Sequence, residues 1–147
     1  MADEREWHWV TGLAAAGAVD SLYLLLFQTG KVKHLVCPIF DGGCDQVVGS
    51  PHAFPAGIPD AAFGLAGYTA AGVAAAAIPK TSGRAKKALA KAALAGSAGA
   101  IGLSAYLTYA QPKKTGAWCS WCLLSAAISA AIAGLSISGA RRILRED

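Results

Sequence analysis

The residues best equipped for chemistry are Trp118-Cys119-Ser120-Trp121-Cys122, a Cys-x-x-Cys pair that opens an apolar run reaching about Ser138. Two thiols at this spacing close a small ring that is readily reduced. On the first turn of a helix the leading sulfur also meets unpaired backbone N–H groups and the positive end of the helix dipole, both of which favour the reactive thiolate. Such a pair transfers electrons. Because the run behind it has the length and composition of a membrane span, the natural acceptor is a molecule dissolved in the bilayer, of which a quinone is the obvious case. A second pair, Cys37 and Cys44, accounts for the remaining cysteines.

Those sulfurs need a scaffold, and composition says which kind. Of 147 residues, 54% are hydrophobic and only 15% charged, with a mean hydropathy of +0.42; soluble domains carry about 25% charged residues. The charges gather in short clusters between apolar runs, each close to the roughly 20 residues that cross a hydrocarbon core as helix. Abundant Ala and the lack of a period-two alternation favour helices over a barrel. We therefore expect an all-α integral membrane protein, a bundle of four transmembrane helices in a single domain. The runs lie at about 9–27, 60–78, 92–110 and 117–138, joined by a long polar connection at 28–59 and a basic loop at 79–91. The first run lacks the basic n-region and short apolar core of a signal peptide, so we expect it to be kept as a span. The net charge of +4 comes without interleaved aromatics, which argues against nucleic acid and for membrane lipid as the partner.

Within the connection at 28–59 a short amphipathic helix is expected around Asp45 to Gly49. In the third run Ala92, Gly96, Ala100 and Ser104 recur every four residues, a seam that would let helices approach closely in lipid, although a high Ala content alone gives the same pattern. Asp20 stands inside the first run, where a carboxylate is costly enough to draw attention, either for proton handling or as a hydrogen-bonded structural group. His8, His34 and His52 are scattered and receive no role.

Orientation follows from the positive residues. Arg5, the basic residues Lys80, Arg84, Lys86, Lys87 and Lys91, and Arg141, Arg142 and Arg145 fall on one side, and only Lys31, Lys33, Lys113 and Lys114 on the other. Positive residues mark the cytoplasmic face. Both termini are thus expected in the cytoplasm, as in a bacterial inner membrane, and all four cysteines on the oxidising outer side. Three chemistries suit such cysteines. A four-cysteine zinc site would accept the tight spacing of one pair but not the loose spacing of the other. Static disulfides are a second option, although a Cys-x-x-Cys ring restrains little chain. The third is a relay of exchanging disulfides, with a mobile loop pair and a fixed pair at the membrane.

Gly12-Leu13 through Ser21-Leu22-Tyr23-Leu24, Cys37-x6-Cys44-Asp45-Gln46-Val47-x-x-Ser50, Gly57-Ile58-Pro59-x4-Gly64-x3-Tyr68 and Trp118-Cys119-x-x-Cys122 together resemble the vitamin K epoxide reductase family in its bacterial form, without a fused thioredoxin-like domain. The resemblance implies an extracytoplasmic loop capping a quinone pocket, with ubiquinone or a menaquinone of the vitamin K type as cofactor. It gives Cys37 and Cys44 the part of shuttle toward a separate extracytoplasmic thioredoxin-like (DsbA-like) protein. Cys119 would take the shuttle's attack and Cys122 would face the quinone. Asp60 and Ala126 stand where vertebrate members have quinone-contacting Asn and Tyr. Phe54, Phe63, Tyr68, Trp118 and Trp121 are the expected lining of an apolar, aromatic pocket, with interfacial anchoring the other use of the tryptophans. The activity implied is a thiol:quinone oxidoreductase supporting disulfide bond formation. The alternatives are a vitamin K quinone or epoxide reductase proper, and a non-catalytic membrane protein braced by zinc or static disulfides.

Overall fold

A computed structural model describes residues 2–39 and 42–146, and the side chains from Glu4 onward. The chain is an all-α bundle of four helices long and apolar enough to cross a membrane. These are α1 (Ala2–Gln28), α3 (Asp60–Ala77), α4 (Gly83–Ala110) and α5 (Ser120–Arg145), while a short α2 (Gly43–Val48) lies in the connection after α1. The expected amphipathic helix there is thus present, shifted by a residue or two. The spanning helices α1, α4 and α5 outrun the apolar stretches that mark them. Arg84, Lys86, Lys87 and Lys91 are on the first turns of α4 and not in a loop, because Lys, Arg and Ala sustain a helix as readily in water as in lipid.

Helix ends follow from local chemistry. Pro59 precedes α3, and Pro79, which has no N–H to donate, stops it in a single 3-10 turn. After α4 the chain makes one wide turn, Gln111–Thr115, and leaves it through Gly116 at φ 71°, a left-handed conformation that glycine adopts without strain. The chain can then reverse into α5.

Helix α1 packs against both α3 and α5, and α5 in turn against α4, whereas α3 and α4 barely meet. Two apolar clusters fill the interior. One, toward the chain termini, joins Trp7, Val10 and Ala14 to Ile132, Ala140 and Ile143; the other, at the opposite end, joins Leu24, Val47, Val48 and Ala61 to Cys44 and Cys119. The terminal end is tied by an Arg142–Glu6 ion pair at 3.1 Å. Gly139 is required there, since a Cβ would come within 2.9 Å of the Trp7 ring.

Large apolar side chains such as Val19, Leu22, Val73, Ile101 and Leu103 point outward. In water that surface would be a liability, and in lipid it is the ordinary exterior. The small-residue seam of α4 faces the same way. Ala92, Gly96 and Ala100 are exposed, and a Cβ added at Gly96 would meet nothing within 4 Å, so these three pack no helix of this chain, while Ser104 lines the groove toward α5. Helix α4 instead buries Ala90 and Ser97, which lie on another face.

Candidate redox site

Four sulfurs from two distant segments share one end of the bundle. Cys44 and Cys119 belong to the same buried cluster, and Cys37 and Cys122 pack against it. Cys37 and Cys44 form a disulfide with a Cα–Cα distance of 5.7 Å, while Cys119 and Cys122 are free thiols. Cys44 and Cys119 have no exposure, whereas Cys37 and Cys122 are half-buried. The loop pair touches the start of α5, for the Cys37 sulfur lies 3.3 Å from the hydroxyl of Ser120, one residue past Cys119.

The loop that carries Cys37 is held from three sides. The Val36 N–H donates to the Tyr23 hydroxyl on α1 at 3.0 Å, and the Val36 carbonyl accepts from the Trp121 indole on α5. The Tyr23 and Trp121 rings meet edge to face with centroids 5.3 Å apart, so one aromatic pair clamps the strand from both flanking helices. From α2, Asp45 accepts the Leu35 N–H at 2.7 Å and faces the His34 ring at 3.0 Å. Gln46 donates to the Thr115 carbonyl, fixing α2 to the turn before α5.

Cys119 occupies the N-cap of α5. Its sulfur accepts the Cys122 N–H at 3.2 Å, one of the donors left free at a helix start. Its own N–H donates to the side-chain oxygen of Gln111 at 2.9 Å, which satisfies a buried group beside the reactive atom. The Cys119 thiol is held below the ordinary thiol range, first by the hydrogen bond to the Cys122 side chain and further by the backbone N–H groups of Cys122 and Trp121. Burial and the charge of Asp20 oppose this without reversing it. A lowered thiol is the better leaving group in disulfide exchange and is more fully present as thiolate, which suits Cys119 to that chemistry.

Beneath the pairs, Gln28 at the end of α1 organises the start of α3. Its amide donates to Asp60 at 2.8 Å and to the Val48 carbonyl at 3.1 Å, and its oxygen accepts the Ala61 N–H at 3.3 Å. Deeper still, the buried Tyr68 hydroxyl donates to the Ser125 carbonyl at 2.7 Å and meets the Ser125 and Ser129 hydroxyls at 2.7 and 2.9 Å. Gly17 permits this, since the Tyr68 ring fills the space where a Cβ would be.

The expected pocket residues divide between faces. Trp118 and Ala126 line a groove of about 510 Å³ between α4 and α5, with Ile101 and Tyr109. Asp60, half-buried, is at the cysteine end of α3, Phe63 is 51% exposed on the outer face, and Tyr68 points inward. Phe54 is half-buried in the connection before α3. Trp121 is engaged in the loop clamp. The surroundings of Cys122, with Leu24, Ala61 and Val47 in the same cluster, are apolar enough for a lipid-soluble acceptor.

Gln28, Gln111, Ser120, Ser125 and Ser129 were not singled out by sequence, and His34 was given no role. An amide or hydroxyl at the edge of an apolar run is the only hint the sequence offers. Tyr23 and Asp45 stood only as members of a motif, and their clamping of the cysteine loop needs coordinates to be seen.

The family model described as "Vitamin K epoxide reductase family" matches residues 8–137. The matched segment contains both cysteine pairs and everything that positions them. No curated protein sequence matches the chain.

Proposed function

We propose, from the premise that this chain belongs to the vitamin K epoxide reductase family, that it is a membrane thiol:quinone oxidoreductase which regenerates an extracytoplasmic disulfide-forming protein. The observation that supports this best is the meeting of the two pairs at one end of the bundle, with Cys37 against Ser120 and Cys44 in one buried cluster with Cys119.

Exposure gives each sulfur a part. A reduced thioredoxin-like partner reaches Cys37, the half-buried member of the loop disulfide, and forms a mixed disulfide there while Cys44 leaves as thiolate. Cys44, which no outside protein can touch, attacks Cys119 in an oxidised Cys119–Cys122 bond, and Cys122 takes the electron pair. The partner's second thiol then releases itself as a disulfide. Attack by Cys37 on Cys44 restores the loop disulfide and frees Cys119. Two electrons now rest on Cys119 and Cys122, and re-forming their bond passes them to a ubiquinone or menaquinone in the bilayer. In each exchange about 30 mV of potential difference sets a bias of about 1.4 kcal/mol. The final transfer to quinone supplies the direction.

The side carrying the cysteines is the extracytoplasmic one, in keeping with the excess of Lys and Arg at the other end. The loop at 28–59 would then cover the quinone site, lined from Asp60, Tyr68 and neighbouring apolar residues. Turnover of purified protein with a reduced thioredoxin-like (DsbA-like) protein as donor and a short-chain ubiquinone as acceptor tests this. Cys37→Ser and Cys122→Ser should each abolish partner-coupled turnover, and wild-type rates in both would exclude the relay.

A further inference from the structure

Asp20 is 5% exposed, and neither of its carboxylate oxygens has a hydrogen-bond partner. An unpartnered carboxyl inside a span is expensive, and the fold does nothing to relieve it among the described residues. Its position is specific. Asp20 lies eight residues before Gln28, so about 12 Å below the end of α1, and Tyr68 lies eight residues past Asp60, about 12 Å into α3. Ser129, nine residues past Ser120, is about 13 Å into α5. Gly17, one turn from Asp20 on α1, is the residue against which the Tyr68 ring packs. On the other side of Asp20, one turn away, Leu24 belongs to the cluster that holds Cys119 and receives Cys122. The carboxyl therefore lies at the level of Tyr68 and Ser129, about one turn below the cluster that holds the thiols, where α1 packs against α3 and α5.

The titratable groups facing this layer are Tyr68 and Asp60 on α3, Cys122 on α5 and Cys119 at its cap, with Tyr23 one turn farther out on α1. No ion pair with a cation is formed by Asp20 among the described residues. Leu24, one turn from Asp20, packs in the cluster that Cys122 joins, and Tyr23 meets the ring of Trp121 beside it, so the carboxyl lies about one turn from the sulfurs.

We propose that Asp20 is an internal proton carrier for oxidation of the Cys119–Cys122 dithiol. The proposal rests on the thiol:quinone activity above. In this step Cys119 reacts as the thiolate and Cys122, one turn farther into α5, as the thiol. Forming the Cys119–Cys122 bond releases two electrons and the Cys122 proton. Asp20 takes up that proton and returns it to an oxygen of the quinone, and a second proton enters from the rim. Thiolate, thiol, quinone and one added proton thus give disulfide and quinol, with charge balanced. The Tyr68, Ser125 and Ser129 hydroxyls hold the inner wall of this layer and orient it.

The test is steady-state reduction of a short-chain ubiquinone by full-length protein in nanodiscs, with dithiothreitol as donor, across pH. Asp20→Asn should lower kcat about 100-fold and remove the pH dependence of kcat contributed by this carboxyl, while transfer from the loop pair to Cys119–Cys122, read without quinone, keeps its wild-type rate. Asp20→Glu should recover part of kcat with a displaced pH profile. Wild-type kcat and pH profile in Asp20→Asn would overturn the proposal. If the Asn variant fails to fold, redox-difference infrared spectra of wild type and Asp20→Glu decide. A carboxyl band that changes with dithiol oxidation and moves in the Glu variant supports the role, and the absence of such a band overturns it. Failure of wild-type protein itself to reduce quinone would instead refute the activity on which the proposal rests.

Discussion

The Gln111 side-chain oxygen accepts the backbone N–H of Cys119 at 2.9 Å, and both residues are buried. A glutamine in the turn between α4 and α5 thus fixes the backbone of the sulfur that caps α5. Gln111→Leu strands a buried N–H and should cost about 1–3 kcal/mol of stability. Thermal unfolding of reduced protein in detergent measures it. Gln111→Glu keeps an acceptor and should lose less.

Gly17 lies against the Tyr68 ring, where α1 packs on α3. A Cβ there would lie 2.4 Å from the Tyr68 ring, whereas one at Gly12 meets nothing within 4 Å. Gly17→Ala should therefore destabilise the bundle by about 1–3 kcal/mol through overpacking. Gly12→Ala should leave it at or above wild-type stability. Unfolding midpoints of the two variants, measured side by side, should differ in that order.

The lowered Cys119 thiol makes reduced protein sensitive to pH in a defined direction. An acid whose value falls on folding stabilises the folded state fully above the ordinary thiol value, about 8.5, and that contribution is lost as pH falls through the lowered value. Alkylation of Cys119 in reduced protein should accordingly reach half its maximal rate at a lower pH than that of an ordinary cysteine. Cys122→Ala removes the largest cause, the side-chain hydrogen bond from Cys122, so its midpoint should move upward. An unmoved midpoint would assign the shift to the backbone donors of α5.

The relay predicts a particular trapped species. With Cys122→Ser, Cys119 cannot be released by its neighbour and should accumulate in a mixed disulfide with a loop cysteine. Cys44 shares the buried cluster of Cys119, so peptide mapping should recover a Cys44–Cys119 link. A predominant Cys37–Cys119 link would exchange the parts of the two loop sulfurs.

Much of this arrangement was legible in the sequence, and the limits have physical causes. Apolar runs bounded by charge identify spans because the bilayer tolerates little else. Helix ends in water are less constrained, so the Lys- and Arg-bearing first turns of α4 read as loop. The α4 seam left two readings open because spacing reports a common face without reporting what that face meets, and here Ala92, Gly96 and Ala100 are turned outward. Charge counting put all four cysteines at one end, where they are found. The supports of the pairs were hidden for another reason. Gln28, Gln111 and the Tyr23–Trp121 clamp each join residues far apart in the chain, and a single polar or aromatic side chain carries no local signature of its distant partner.

Whether the two pairs form one electron path to quinone is tested most directly by stoichiometry. Fully reduced protein, freed of donor and mixed anaerobically with excess short-chain ubiquinone, holds two dithiols per chain, Cys37/Cys44 and Cys119/Cys122. The account predicts two quinols formed per chain, falling to one in a Cys37→Ser, Cys44→Ser double variant. A yield of one quinol in wild type, with the loop thiols still reduced, would contradict it.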